Sequence, residues 1–163
     1  MSFKDLAYYF SRIQICKIND NYNYSFMKVS HKPDSYSLVR LLIESDGEYT
    51  ISVSQKDQRC CLRDSGYEYS YCRIILVKID VEKTDADNDG DNLEIDYIKG
   101  DASWNRDTHL EISNLKKGEY YVYVEMDWDK NTHDIDFTVT CYGASKSNFT
   151  RDEKSSYKKE LVL

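Results

Sequence analysis

Thr84–Asp96 reads TDADNDGDNLEID, and its carboxylates recur on alternate residues. Asp85, Asp87 and Asp89, followed by Gly90, match the first half of an EF-hand loop, where oxygen ligands wrap Ca²⁺ around a sharp turn. Asp91 adds a fourth carboxylate. The second half departs from that pattern. Asn92 stands where a β-branched apolar residue normally links paired loops, Asp96 replaces the bidentate Glu, and the flanks read as strands. Two readings stay open: a looser Ca²⁺ loop, or a solvated loop between strands.

A second run, Asp127, Asp129, Asp134 and Asp136, spans another inter-strand loop. Unshielded carboxylates gathered at one loop tip repel one another, and a cation relieves that repulsion. Lys130 and His133 dilute the charge, so a wet loop is the competing reading. Trp128 sits within this run, either as an exposed anchor for a partner or folded over the sheet edge.

Nucleophilic chemistry finds little support. His31 precedes Lys32-Pro33, His109 lies in a weak strand, and His133 lies in the acidic loop; each reads as a surface histidine. The five cysteines are Cys16, Cys60, Cys61, Cys72 and Cys141, without the paired spacings of a structural zinc site. Adjacent Cys60 and Cys61 pair only with strained geometry. Their odd number, with no secretory leader ahead of them, points to reduced thiols and an intracellular, cytoplasmic chain.

The elements that must hold these residues are strands. Residues 2–10 read as one short helix, with Ser2 as cap and Asp5 reaching back to it. The hydrophobic period then changes to two. Tyr24–Val29, Leu38–Ile43, Tyr49–Ser54, Arg73–Ile79, Leu93–Ile98, His109–Ile112, Tyr120–Met126 and Ile135–Tyr142 are the expected strands. Ile51 and Val53 alternate with Thr50, Ser52 and Ser54, as a half-buried antiparallel strand requires. Arg73–Ile79 is nearly all apolar, which suggests a central strand covered on both faces. Asp46-Gly47 reads as a hairpin turn. The expectation is an all-β, antiparallel, eight-stranded sandwich with a short N-terminal helix and a polar tail over 145–163.

The chain has 163 residues, 15 of them tyrosine, and a net charge of −7. That charge repels nucleic acid and favours cations or basic protein surfaces. No apolar run approaches the roughly 20 residues of a membrane span.

The opening MSFKDLAYYFSRIQIC resembles the end of the calpain protease core, with Ile13, Gln14, Ile15 and Cys16 matching its exit. Ile51–Cys60 (ISVSQKDQRC) is similar to the calpain strand that ends in Gln-Lys-x-x-Arg. Leu115–Val124 (LKKGEYYVYV) resembles that family's Leu-Pro-Pro-Gly-Glu-Tyr entry, with Lys116 and Lys117 in place of the prolines. Asp136–Tyr142 resembles its final strand. The resemblance spans about residues 1–143. It implies a linker helix over 1–18 and a C2-like calpain sandwich, domain III, over 19–144. The catalytic Cys, His and Asn of calpains lie upstream of the matching segment, so none carries over. The Asp-x-Asp of the second acidic run is also similar to Ca²⁺-binding C2 tips, one residue short in spacing.

The resulting expectation is a non-catalytic regulatory or protein-interaction domain of calpain type. It would be tuned by Ca²⁺, and would partner a calpain protease core or a large cytoskeletal or ciliary assembly. The alternative is a Ca²⁺-dependent membrane-binding module or a regulatory fragment of a calcium-dependent cysteine endopeptidase.

Overall fold

The computed structural model describes residues 2–10, 18–31, 36–62, 65–82, 92–127 and 135–151. Period-two patterning dominates them and yields nine strands after one helix, α1 (Phe3–Tyr9). The strands are β1 (Asn23–His31), β2 (Tyr36–Ile43), β3 (Gly47–Gln55), β4 (Tyr71–Glu82) and β5 (Asn92–Ser103). Then follow β6 (Asp107–Leu115), β7 (Gly118–Asp127), β8 (Ile135–Gly143) and β9 (Ser147–Arg151). No described helix is long and apolar enough to cross a membrane.

The helix begins as its capping box requires: Ser2 N and Oγ donate to Asp5 Oδ2 at 2.9 and 2.8 Å, and Asp5 N donates to Ser2 Oγ at 3.2 Å. Its aromatic side chains do not join the core; Phe3, Tyr8 and Tyr9 are exposed.

The strands form two antiparallel sheets, a smaller one ordered β1-β8-β3-β6 and a larger one ordered β5-β4-β7-β2-β9. Every connection changes sheet except β4–β5. Asp46-Gly47 is therefore not a hairpin turn but a crossing between sheets. The reason lies in its partners: Asp46 accepts from Lys117 N at 2.7 Å and from Lys116 Nζ at 2.9 Å. The carboxylate thus ties the β2–β3 crossing to the β6–β7 crossing.

The core fills the space between the sheets. Tyr49, Ile51, Val53, Leu110, Phe137 and Val139 come from the smaller sheet, and Val39, Leu41, Ile74, Leu76, Val122 and Val124 from the larger, all fully buried. The sandwich has nine strands rather than the expected eight. The ninth, β9, falls in the segment expected as a tail. SNFTR carries a single large apolar residue, too few for a periodic signal, but Phe149 drops into the core and β9 pairs with β2.

β4 is buried on its inner face at Cys72, Ile74 and Leu76 but only part covered on its outer face, where Val77 is buried, Ile75 and Ile79 are half-buried and Arg73 is exposed, so the expectation of a strand covered on both sides holds in part. Outside the larger sheet a second apolar cluster joins Leu38, Val77, Tyr121 and Tyr123, with Tyr36, Ile75, Ile79 and Ile95 against it. Tyr36 stacks on Tyr123 with ring centroids 5.3 Å apart, and the Arg73 guanidinium lies 5.8 Å over the Tyr123 ring. Arg40–Glu119 and Arg73–Glu125 ion pairs flank the cluster.

The outer strands of the two sheets approach each other on both flanks. Ser25 and Ser147 hydroxyls meet at 2.5 Å between β1 and β9. Ser103 and Thr108 meet at 2.8 Å between β5 and β6, and Lys99 Nζ donates to the Glu111 carbonyl at 2.6 Å on the same flank.

Candidate functional site

The acidic runs contribute little to the described structure. Asp85, Asp87, Asp89 and Asp91 lie outside the described residues, as do Trp128, Asp129 and Asp134. Asp127 ends β7 with an exposed side chain. Asp136, on β8, forms an ion pair with Lys28, which holds its carboxyl below the usual range. Among the described residues, no three His, Cys, Asp or Glu side chains gather as a metal site.

The thiols divide by depth. Cys16 lies outside the described residues, Cys60 is exposed and Cys61 half-buried. Cys72 and Cys141 are core residues, and burial pushes each thiol up to about 11, against a smaller opposing effect of the Thr108 and Ser147 hydroxyls respectively. Both are protonated at neutral pH and packed away from solvent. Neither has the low-pKa, accessible character of a nucleophilic cysteine.

The candidate site lies instead on the outer face of the smaller sheet, where a groove of about 620 Å³ opens to solvent. Its floor is set by strand alternation. Inward residues of β3 and β8 fill the core, so Thr50, Ser52 and Thr140 face outward. The pairing places Phe26, Thr140, Ser52 and His109 in one cross-strand row, and Tyr24, Tyr142, Thr50 and Glu111 in the next. Thr140 and Ser52 in one row and Thr50 in the next are short and leave a trough, with Tyr142 of β8 rising beside it. Ser52 and Thr140 hydroxyls bond each other at 2.6 Å and hold the floor.

One wall is built by residues 18–22, which lead into β1. Asn19 N donates to the Tyr142 hydroxyl at 2.8 Å, and that hydroxyl donates to Asn19 O at 3.1 Å. The Tyr22 and Tyr142 rings pack with centroids 5.1 Å apart. Tyr22 Oη donates to Glu48 Oε2 at 3.1 Å, and desolvation, reinforced by Glu48, raises the Tyr22 phenol above its ordinary range. Opposite stand His109 and Glu111 on β6. Glu48 and Glu111 both line the groove, and no lysine or arginine is among its described lining residues. The arrangement offers carboxylate acceptors, hydroxyls of both polarities and an aromatic wall, which suit a cationic guest with an apolar stem.

Of the three histidines, only His109 has a described side chain, and it faces this groove. His31 ends β1, and its side chain, like His133, lies outside the described part. Sequence reasoning placed His109 on a surface but did not find the groove. The available signal was the row of Thr and Ser at alternate positions of β3 and β8, where a plain solvent face commonly carries longer charged side chains.

The resemblance-bearing Gln55 is a buried clamp. Its Nε2 donates to Ser70 O at 2.7 Å and Asn105 O at 3.3 Å, and its Oε1 accepts from Ser70 N at 2.9 Å. No protein-family model matches the sequence, and no curated protein shows significant similarity to it.

Proposed function

We propose that this chain is a non-catalytic interaction domain of calpain type, which engages a protein partner through the groove on its smaller sheet. The observation that carries this reading is the groove itself: a concave, solvent-open surface walled by Tyr22 and Tyr142 and lined by two glutamates. Concavity, aromatic side chains and a few convergent polar groups mark binding surfaces. The net charge of −7 favours a basic partner at long range. Calcium tuning rests on the sequence of Asp85–Asp91 and Asp127–Asp134 and belongs to the same proposal.

A photo-crosslinker placed at Ser52 tests the reading against the same group at Glu119, on the opposite face. Capture of a discrete protein set from Ser52 alone supports the groove; identical sets from both positions dismiss it. A peptidase assay stays flat on this reading, and activity abolished by Cys60→Ser would overturn it. Calorimetric titration with Ca²⁺ measures the tuning directly, and a blank titration removes that part.

A further inference from the structure

The fold sorts its described thiols into two that are sealed and two that are presented, and the presented two are neighbours. Cys60 is exposed, Cys61 is half-buried, and both are free. Cys72 and Cys141 are 1% and 0% exposed. They lie in different sheets, Cys72 opposite Met126 near the end of β7 and Cys141 opposite Ile51 near the end of β8. β7 and β8 run in opposite senses along the sandwich, so one ligand atom cannot reach both of these thiols.

The turn that carries the pair is braced. Asp57 caps the 3-10 turn Gln58–Cys60 by accepting from Arg59 N at 2.9 Å. Cys60 N donates to Asp57 O at 2.9 Å, and Cys61 N donates to Gln58 O at 3.0 Å. The Cys61 thiol turns back over the same turn and donates to Asp57 O at 3.8 Å. Arg106, between β5 and β6, donates to Asp57 Oδ2 at 2.9 Å and ties the turn to the sandwich.

Spacing decides what two such thiols can hold. Consecutive Cα atoms lie about 3.8 Å apart, below the about 4.4–6.8 Å of an ordinary disulfide. A direct sulfur–sulfur bond of about 2.05 Å is therefore strained at this pair. An atom inserted between the sulfurs, with one bond to each, relieves that strain, and thiolates select soft acceptors. Zinc asks for four donors, and among the described residues no three His, Cys, Asp or Glu side chains gather. Two sulfurs do satisfy a trivalent arsenic that already carries one organic group.

We propose that Cys60 and Cys61 form a dithiol site for a trivalent organoarsenical. The acceptor is an arsenic(III) oxide, R–As=O, and the step balances without an oxidant. Two S–H bonds and the arsenic–oxygen bond break, and two As–S bonds form. Both protons leave with the oxide oxygen as one water. Arsenic stays trivalent and neither sulfur is oxidised, so no electrons are transferred. Cys61 gives up its bond to Asp57 O as its sulfur joins arsenic. The site is separate from the groove, and neither reading depends on the other.

The test uses the full reduced chain and phenylarsine oxide, read by intact mass. The expected result is one phenylarsenic group per chain, with loss of one water, mapped to the peptide that holds Cys60 and Cys61. The adduct should survive excess 2-mercaptoethanol, a monothiol, and come off with dithiothreitol, because two linked sulfurs outcompete separate ones. Cys60→Ser and Cys61→Ser should each lower retention against the monothiol by about a hundredfold or more. Neither residue belongs to the core, so both variants should keep the parent's melting temperature. Cys16→Ser should bind as the parent does.

No uptake by the reduced chain would overturn the proposal. So would an adduct that the monothiol strips from the parent as readily as from Cys60→Ser, retention unchanged in both single variants, or label on a peptide that lacks the pair.

Discussion

Gln55 is a residue whose task emerges only with the fold. The Gln-Lys-x-x-Arg stretch draws attention by resemblance, but the structure gives Gln55 a structural task. It is 4% exposed, and its amide serves two backbone carbonyls and one backbone N–H on the segments flanking Ser70 and Asn105. Gln55→Leu leaves those groups buried and unpaired, and should cost about 2–3 kcal/mol in urea unfolding. Tyr67 is the reverse case. Its hydroxyl is buried with no hydrogen-bond partner among the described residues, and desolvation raises it to about 12. Tyr67→Phe removes an unsatisfied polar atom and should be neutral or stabilising by up to about 1 kcal/mol, read in the same unfolding experiment. Neither role was legible in the sequence, because both depend on which distant backbone groups arrive beside the side chain.

At the scale of elements, strand identity was the most legible layer. All eight expected segments lie within observed strands, because alternation of apolar and polar residues directly reports a half-buried strand. What alternation cannot report is which strand lies beside which. The Asp46-Gly47 turn has hairpin chemistry, yet β2 and β3 lie in different sheets, because Asp46 is engaged by Lys116 and Lys117 from another crossing. The groove was hidden for the same reason, since its rows exist only after β1, β8, β3 and β6 align. Tyr49 shows how tightly these crossings are held. Its hydroxyl donates to Ser45 O at 2.7 Å and meets Ser145 Oγ at 2.7 Å, while its ring lies against Gly143. A Cβ on Gly143 would sit 2.1 Å from Tyr49 Cδ1 and 2.6 Å from Glu48 O. Gly143→Ala therefore forces β8 off Tyr49 and should cost about 3 kcal/mol or more, seen as a lowered denaturant midpoint.

The whole molecule should be bounded in pH from both sides. On the acid side, Asp57 is held far below the ordinary carboxylate range, first by Arg59 and then by Arg106. Asp46, Glu119 and Asp136 are lowered by Lys117 and Lys116, Arg40, and Lys28 respectively. A carboxyl lowered by folding binds fewer protons than its unfolded counterpart. Its stabilisation is present above about pH 4 and is lost as pH falls toward the folded value. Stability should therefore decline on acidification below about pH 4, and Asp57→Asn should make the decline shallower. On the alkaline side the sign follows from Cys72 and Cys141, raised to about 11 by burial. Unfolded thiols ionise near about pH 8.5, so between there and about pH 11 unfolding releases protons and stability falls, by at most about 1.4 kcal/mol per pH unit for each thiol. Urea midpoints compared between the parent and Cys72→Ala isolate one thiol's share.

The serine and threonine contacts on the two flanks decide how a partner can approach. A lone sandwich usually offers free backbone at its outermost strands, and a passing peptide can extend the sheet there. Here Ser25 holds Ser147 on one side, Ser103 holds Thr108 on the other, and Lys99 already occupies the Glu111 carbonyl. Strand addition along β6 would first have to displace Lys99 from that carbonyl. A ligand that comes broadside, reading side chains rather than main chain, meets no such barrier.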